Sequence, residues 1–366
     1  MRILVVTPSL PLAFGTVDAR WLHVVVTELA RRGREVVCVS CTEESDERIA
    51  QAQTFADERG FRFRHVSLSL HEHPVARKAR AFLKPFSEYE RVDELTRVLD
   101  EEAPLADIVH IEHLFPSWVG AGRERTVTYL HHLEVIDWEQ RTDLTNRERL
   151  TRWQVERATD AVLSISDRVI GASSRLVERA LKVNPKLETG LVPVSIDPDR
   201  YEQLSLPDEP VVGLIGSMFW YPSRSAADEA LGHLFPVAGA ELLGTVDRPE
   251  DFFSRINTLL YPPALGSGCK IKVMEAMAYG RAVVSNTEGF EGLSDLPQDL
   301  LRPLDDDEAL IERTVALLRD PAARAAEAAA GRELIENVFA PEPAVDRLEA
   351  AYEQLGLLTP AQEGTP

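Results

Sequence analysis

Short β-branched runs, each followed by a glycine- or proline-bearing turn and an amphipathic stretch, recur along this chain and restrict what it can fold into. The first is Ile3–Thr7 (ILVVT), which shows no polar alternation. A strand with one wet face would alternate, so this one belongs in a sheet covered on both faces, the habit of parallel sheets. The loop Pro8–Thr16 follows. Ala19–Arg32 then places Trp21, Val24, Val25, Glu28 and Leu29 at helical spacing and stops at Gly33. Glu35–Ser40 is a second strand, and strand, helix, strand is a βαβ unit.

The pattern continues. Asp107–Ile111, Val127–Leu130, Ala161–Ile165 and Arg168–Ile170 are expected as strands, and Ser173–Lys182 as a helix. Leu191–Val194 closes this set, and Pro193, Pro198 and Pro207 mark a connection beyond it. A second set opens with strands at Val211–Ile215, Ala240–Gly244 and Thr258–Tyr261. Helix Lys270–Tyr279 ends at Gly280 before strand Ala282–Ser285, and helices Glu308–Arg319, Ala322–Glu336 and Pro343–Leu355 complete it. The fold class is therefore α/β, with two Rossmann-like, doubly wound parallel-sheet domains facing across a cleft. A length of 366 residues suits two such cores. The expected divisions are an N-terminal domain at 1–195, a second domain at 196–340, a terminal helix at 341–358 packing back toward the first domain, and a disordered tail at 359–366.

Charge separates the halves as well. Residues 1–195 carry 27 basic and 30 acidic side chains, whereas 196–366 carry 13 and 30. The net −20 argues against a nucleic-acid partner, because polyphosphate would be repelled at long range. Cys38, Cys41 and Cys269 cannot build a disulfide framework, and the single C-x-x-C pair reads as two small buried residues. The apolar start of Met1–Gly15 is broken by Pro8 and Pro11, no 18-residue apolar stretch occurs, and a cytoplasmic protein without a transmembrane segment is expected.

Several chemistries lack their motif. Gly266-x-Gly268 would need glycine at Ile271 to complete a dinucleotide fingerprint, and no glycine precedes a lysine as a P-loop requires. There is no G-x-S-x-G elbow. The pairs His71/His73, His110/His113 and His131/His132 lack zinc-protease spacing, and Asp305–Asp307 reads as a helix start, so no metal is expected.

The segment Tyr261–Leu293 carries the chemistry: strand, glycine-rich turn, helix, glycine stop, strand. Gly266-Ser267-Gly268 at a helix start offers backbone N–H groups to an anion. Lys270 and Lys272 fall in the first helical turn, where positive charge opposes the macrodipole unless a dianion occupies the turn. Glu275 is placed to accept from a ribose diol, while a surface helix with a Lys272–Glu275 pair is the plainer reading.

This block, GSGCKIKVMEAMAYGRAVVS, resembles the donor-site block of glycosyltransferase family 4 (group 1), whose members have the GT-B fold; the subgroup pattern is G-S-G-T-x-x-K-x-x-E-A-M-A-x-G-x-P-V-V. VPVSIDPDRY resembles the family's interdomain segment, LIGSMFWYPSRSA the start of its second domain, YLHHLEV its histidine segment and MRILVVTPSLPLAFG its first strand and loop. The resemblance implies a retaining, metal-independent glycosyltransferase, with a nucleotide diphosphate sugar as co-substrate and no other cofactor. It puts Ser267, Gly268 and Cys269 on the diphosphate with Lys272 neutralising it, Glu275 on the ribose, and Gly244, Thr245 and Val246 beside the base. Gly15 falls in the first loop, where the family's Gly-Gly is reduced to Gly15-Thr16, and His131 is implied as the catalytic residue.

There are departures. Ser267 stands where the wider family's E-x7-E has its first glutamate, Ser223 replaces an asparagine, and a strand–helix unit is missing between Phe235 and Ala240. A GT-B nucleotide-binding or partner protein that has lost catalysis, and a nucleotide-sugar epimerase, are the alternatives. Glu112 and His113 follow a strand and are candidate acceptor contacts. The basic stretch 62–84 is a candidate contact for a lipid-linked acceptor or an anionic membrane surface; a small molecule or a glycan are the other acceptors the resemblance allows.

Overall fold

A computed structural model describes residues 1–13, 15–68, 85, 88–139, 141, 144–217, 221–228, 230, 241–246, 248–264, 266–296 and 298–358. The chain divides into two compact units, Met1–Val194 with the chain from Ala344 onward, and Ser195–Pro343.

The first unit is built on a seven-stranded parallel sheet of order β3-β2-β1-β4-β5-β6-β7. Its strands are β1 (Arg2–Thr7), β2 (Glu35–Thr42), β3 (Arg62–Ser67), β4 (Ile108–Glu112), β5 (Thr126–Leu130), β6 (Arg168–Gly171) and β7 (Glu188–Leu191). Its helices are α1 (Val17–Arg31), α2 (Asp46–Arg59), α3 (Asp93–Glu102), α4 (Glu134–Glu139), α5 (Asn146–Ile165) and α6 (Ser174–Val183). The strand order reverses between β1 and β4, so the loops leaving these neighbours diverge at their carboxyl ends and open a crevice there. The interior strands are buried throughout, in keeping with their unalternated sequences: every residue from Ile3 to Val6 is at most 1% exposed.

The second unit contains β8 (Val212–Gly213), α7 (Tyr221–Asp228), α8 (Pro249–Phe253), β9 (Thr258–Tyr261), α9 (Ile271–Ala278), β10 (Ala282–Ser285), α10 (Asp307–Arg319) and α11 (Pro321–Asn337). Among the described residues its sheet is three parallel strands, β10-β9-β8. Leu260, Ala282 and Val284 pack there against Leu310 and Leu317 of α10. Finally α12 (Pro341–Gln354) enters the first unit, burying Val345, Leu348 and Tyr352.

Several sequence expectations need correction. Ala161–Ile165 is not a strand but the last part of α5, a 20-residue helix started by a capping box between Thr145 and Glu148. Val211–Ile215 pairs only at Val212–Gly213, and no strand forms over 241–244, where Leu242 is 91% exposed. The basic stretch 62–84, for which no strand was expected, begins as the edge strand Arg62–Ser67. Arg62 pairs with Glu102 at 2.8 Å and Arg64 reaches Glu101 at 3.3 Å, so part of that charge is neutralised internally. Residues 69–84, residues 231–240 where a strand–helix unit was judged missing, and the tail 359–366 lie outside the described residues.

Candidate functional site

Each unit gathers polar side chains at the carboxyl edge of its sheet. In the first, β4 and β5 are adjacent and parallel, with Glu112 opposite Tyr129. Side chains alternate along a strand, so His110 and Glu112 share one face with Tyr129 and His131. Glu112 is fully buried and both its oxygens are engaged: Oε2 lies 2.5 Å from His131 Nε2 and Oε1 lies 2.9 Å from His110 Nε2. Burial alone would raise the pKa of this carboxyl, but the two imidazoles and their hydrogen bonds more than offset it and hold the group at about 2. On the far side of His110, Nδ1 sits 2.7 Å from the Tyr352 hydroxyl of α12.

Aromatic packing fixes these rings. Trp21 of α1 stacks on Tyr129 at 5.1 Å, Tyr129 meets His131 edge-on at 4.7 Å, and the Tyr129 hydroxyl donates to the Val192 carbonyl. His131 is 4% exposed and its Nδ1 has no hydrogen-bond partner among the described residues. Asp18, in the first turn of α1, accepts from Ser9; burial opposes its ionisation, yet the neighbouring His131 imidazole and bonds from Ser9 and Thr16 lower its pKa. His113 takes φ +77°, a conformation rare for a side chain of this size, and donates its backbone N–H to Tyr129. Burial, and then the charges of His132 and His131, push the His113 imidazole down to about 3.

Of the first-unit residues named from sequence, His131 and His113 stand together at the switch point. Glu112, expected to face an acceptor, is instead enclosed behind His131. Gly15 lies on the loop after β1 with φ +135°, which only glycine adopts comfortably. Asp18, His110 and Tyr352 were not anticipated in this cluster. His110 was visible only as half of a histidine pair, and the apolar spacing around Tyr352 announces burial without announcing a partner.

In the second unit, α9 is no surface helix. Ile271 and every residue from Val273 to Ala278 are buried, including Glu275. Lys272 is the exception. Its ammonium lies 3.2 Å from both Ser223 Oγ and Tyr261 OH, and 4.8 Å above the Tyr261 ring. Gly216 completes this corner: a Cβ there would fall 2.6 Å from that of Ser223 and closer still to its hydroxyl. The turn before α9 carries buried Ser267 and Cys269, with Gly268 at φ +80°. Lys270 does not join Lys272 as the sequence suggested. It stands at the N-cap, 1% exposed, and its ammonium turns back to the Gly268 carbonyl at 2.6 Å and Glu291 at 3.3 Å. Gly244 takes φ +70° and Thr245 and Val246 follow it on an irregular segment. The cysteines are inert packing residues: burial pushes Cys38, Cys41 and Cys269 each up to about 12. Among the described residues no group of three His, Cys, Asp or Glu could hold a metal ion, and no helix is long and apolar enough to cross a membrane.

Solved structures place this architecture among the GT-B proteins. The chain is similar to a glycosyltransferase from Rickettsia africae (TM-score 0.59, 14% identity, covering 97% of this chain and 98% of that one). It is also similar to Anabaena HepE in complex with UDP and glucose (0.61, 14%, 98% and 100%) and to WaaG, a glycosyltransferase involved in lipopolysaccharide biosynthesis (0.58, 16%, 97% and 100%). At these identities the likeness shows the fold. In sequence, residues 215–320 match the family model of glycosyl transferases group 1, a stretch that holds Ser223, Tyr261, Lys272 and Glu275. No curated protein matches the chain.

Proposed function

We propose that this chain moves a sugar from a nucleotide diphosphate sugar to a hydroxyl or amine acceptor, with retention at the anomeric carbon and without a metal. The observation that carries this reading is the glycosyl transferases group 1 match over residues 215–320, because that stretch builds the polar corner at the end of the second unit's sheet. In the proposed roles, the backbone of Ser267, Gly268 and Cys269 receives the diphosphate, Lys272 counters its charge and Glu275 holds the ribose. Gly244, Thr245 and Val246 border the base, Gly15 lets the first loop approach the ligand, and His131 serves the transferred sugar. The departing diphosphate gains negative charge in the transition state, and a fixed ammonium with oriented N–H dipoles stabilises that charge more than it stabilises the ground state.

HepE was solved with UDP and glucose and with UDP-glucose, which makes UDP-hexose the first donor to test. The involvement of WaaG in lipopolysaccharide biosynthesis favours a glycan or lipid-linked acceptor met in the cytoplasm. A thermal-shift panel of UDP, dTDP, GDP and ADP tests the donor site. A nucleotide at about 100 times its Kd should add about 2.7 kcal/mol of stability. We expect one of the four to do so, with the shift unchanged by EDTA and abolished by Lys272→Ala and by Glu275→Ala. If none of the four stabilises the chain, the donor assignment fails.

A further inference from the structure

We propose that Glu112, His110 and Tyr352 form a buried positioning chain that keeps a proton on His131 Nε2 and presents Nδ1 as the working nitrogen. This inference rests on the role assigned to His131 above.

The argument is one of donors and acceptors. Glu112 is enclosed, and the hydrogen bonds from its two imidazole neighbours favour the carboxylate, so each of its oxygens only accepts. His131 Nε2, 2.5 Å from one oxygen, must then carry a hydrogen, and so must His110 Nε2, 2.9 Å from the other. The Tyr352 phenol is fully buried and held protonated by that burial and by the Glu112 charge, so its O–H donates to His110 Nδ1. Donation thereby runs from Tyr352 through His110 to one Glu112 oxygen, while His131 donates to the other. Both rings therefore converge on Glu112, and His131 is left with a buried Nδ1 that has no partner among the described residues. An orphaned ring nitrogen inside a packed protein is costly, and a ligand group is what would satisfy it. Tyr129 and Trp21 hold the rings in place, so the orientation does not have to be found when substrate arrives. The charged and titratable groups facing His131 from other elements are Asp18 of α1, His113 and His132.

The chain also explains a buried phenol in the terminal helix. Tyr352 lies 242 residues from His110 in sequence, and it ties α12 to β4 within the same unit.

Two-bond 1H–15N correlation spectra of the full chain, labelled at histidine and assigned with His131→Asn and His110→Asn, report which ring nitrogen holds hydrogen. We expect hydrogen on Nε2 of His131; a lone pair at Nε2 with the proton on Nδ1 would overturn the inference. That reading needs no activity, and the two variants serve only to assign the signals. In transfer assays with UDP-glucose, Glu112→Gln should lower kcat on the order of 10²-fold or more, because an amide must donate to one of the two rings and reverse it. Glu112→Asp should recover part of that loss and Tyr352→Phe should lose roughly tenfold, each with the donor KM unchanged. If His131→Ala leaves transfer intact, the role of His131 in the proposed function falls. If His131→Ala abolishes transfer while Glu112→Gln keeps full kcat, only the positioning chain falls.

Discussion

Gly216 shows how a single missing methyl shapes the candidate donor corner. Its Cα approaches Ser223 so closely that a Cβ would overlap both side-chain atoms of that serine, and Ser223 in turn reaches Lys272. Gly216→Ala should therefore cost about 1–3 kcal/mol by overpacking. It should also displace Lys272 and weaken nucleotide binding, which calorimetric titration would show. The double change Gly216→Ala with Ser223→Gly should recover most of the melting temperature, and an unaltered single variant would sink this account. At the other edge, His113 is held neutral by burial, with its pKa at about 3 against an ordinary 6.5. Between those values the unfolded chain binds the proton that the folded chain refuses, so stability falls as pH drops below 6.5. Glu112 acts in the same direction lower down, its contribution fading as pH falls from about 4.5 toward 2. His113→Asn tolerates the same φ and removes only the first effect. Its melting temperature should vary less than that of wild type between pH 6.5 and 4, in scans run side by side.

Among the elements, what the sequence revealed followed burial. Strands covered on both faces, such as β1, β2, β4 and β9, declare themselves as short apolar runs, and the helices that cover them as apolar stripes. Edges did not. β3 alternates Arg62, Phe63, Arg64 and His65 with little hydrophobic weight, and the arginines that disguise it as a basic loop are paired across to α3. The run AVLSI was misread as a strand because five apolar-rich residues fit either periodicity. The deciding signal, Thr145-x-x-Glu148, lay more than three helical turns upstream. The donor block was legible because its chemistry is local: turn, lysine and glutamate are neighbours in one segment. The His131 chain was not, because its members come from β4, β5 and α12, and only the fold brings them together. Caps are local too. Asp306 accepts from the Ala309 N–H at 3.0 Å and starts α10. Asp306→Ala should cost about 1 kcal/mol. Asp307→Ala, one residue further on, should cost less by removing only a charge near the helix start, and denaturant melts of the pair would separate the two.

At the scale of the whole molecule, the first unit is not a continuous stretch of chain. Residues 1–194 supply its seven strands, and the chain from Ala344 returns to finish it. The return is substantial: Ala344, Val345, Leu348, Ala351 and Tyr352 are all at most 5% exposed. Arg32 meets Glu349 at 3.0 Å and Asp346 at 2.7 Å, and Arg168 donates to the Leu355 carbonyl at 2.9 Å. Gly190 of β7 faces Ala351 so closely that a Cβ there would lie 3.2 Å from the alanine methyl, which shows how tightly helix and sheet are fitted. Fully burying one aliphatic side chain is worth about 1.5–3 kcal/mol. Exposing the sheet face under α12, together with His110 left facing water, removes several such contributions from a stability of only about 5–15 kcal/mol. A chain ending at Ala340 should thus keep a cooperative melt for the second unit and its nucleotide-induced shift. The first unit should lose protection from hydrogen exchange along β4 to β7 and bind a hydrophobic dye. Adding residues 341–358 back as a separate peptide should restore that protection in proportion to peptide concentration. Full protection in the truncated chain without the peptide would mean that the first 194 residues fold alone, and that α12 is an addition to a finished domain.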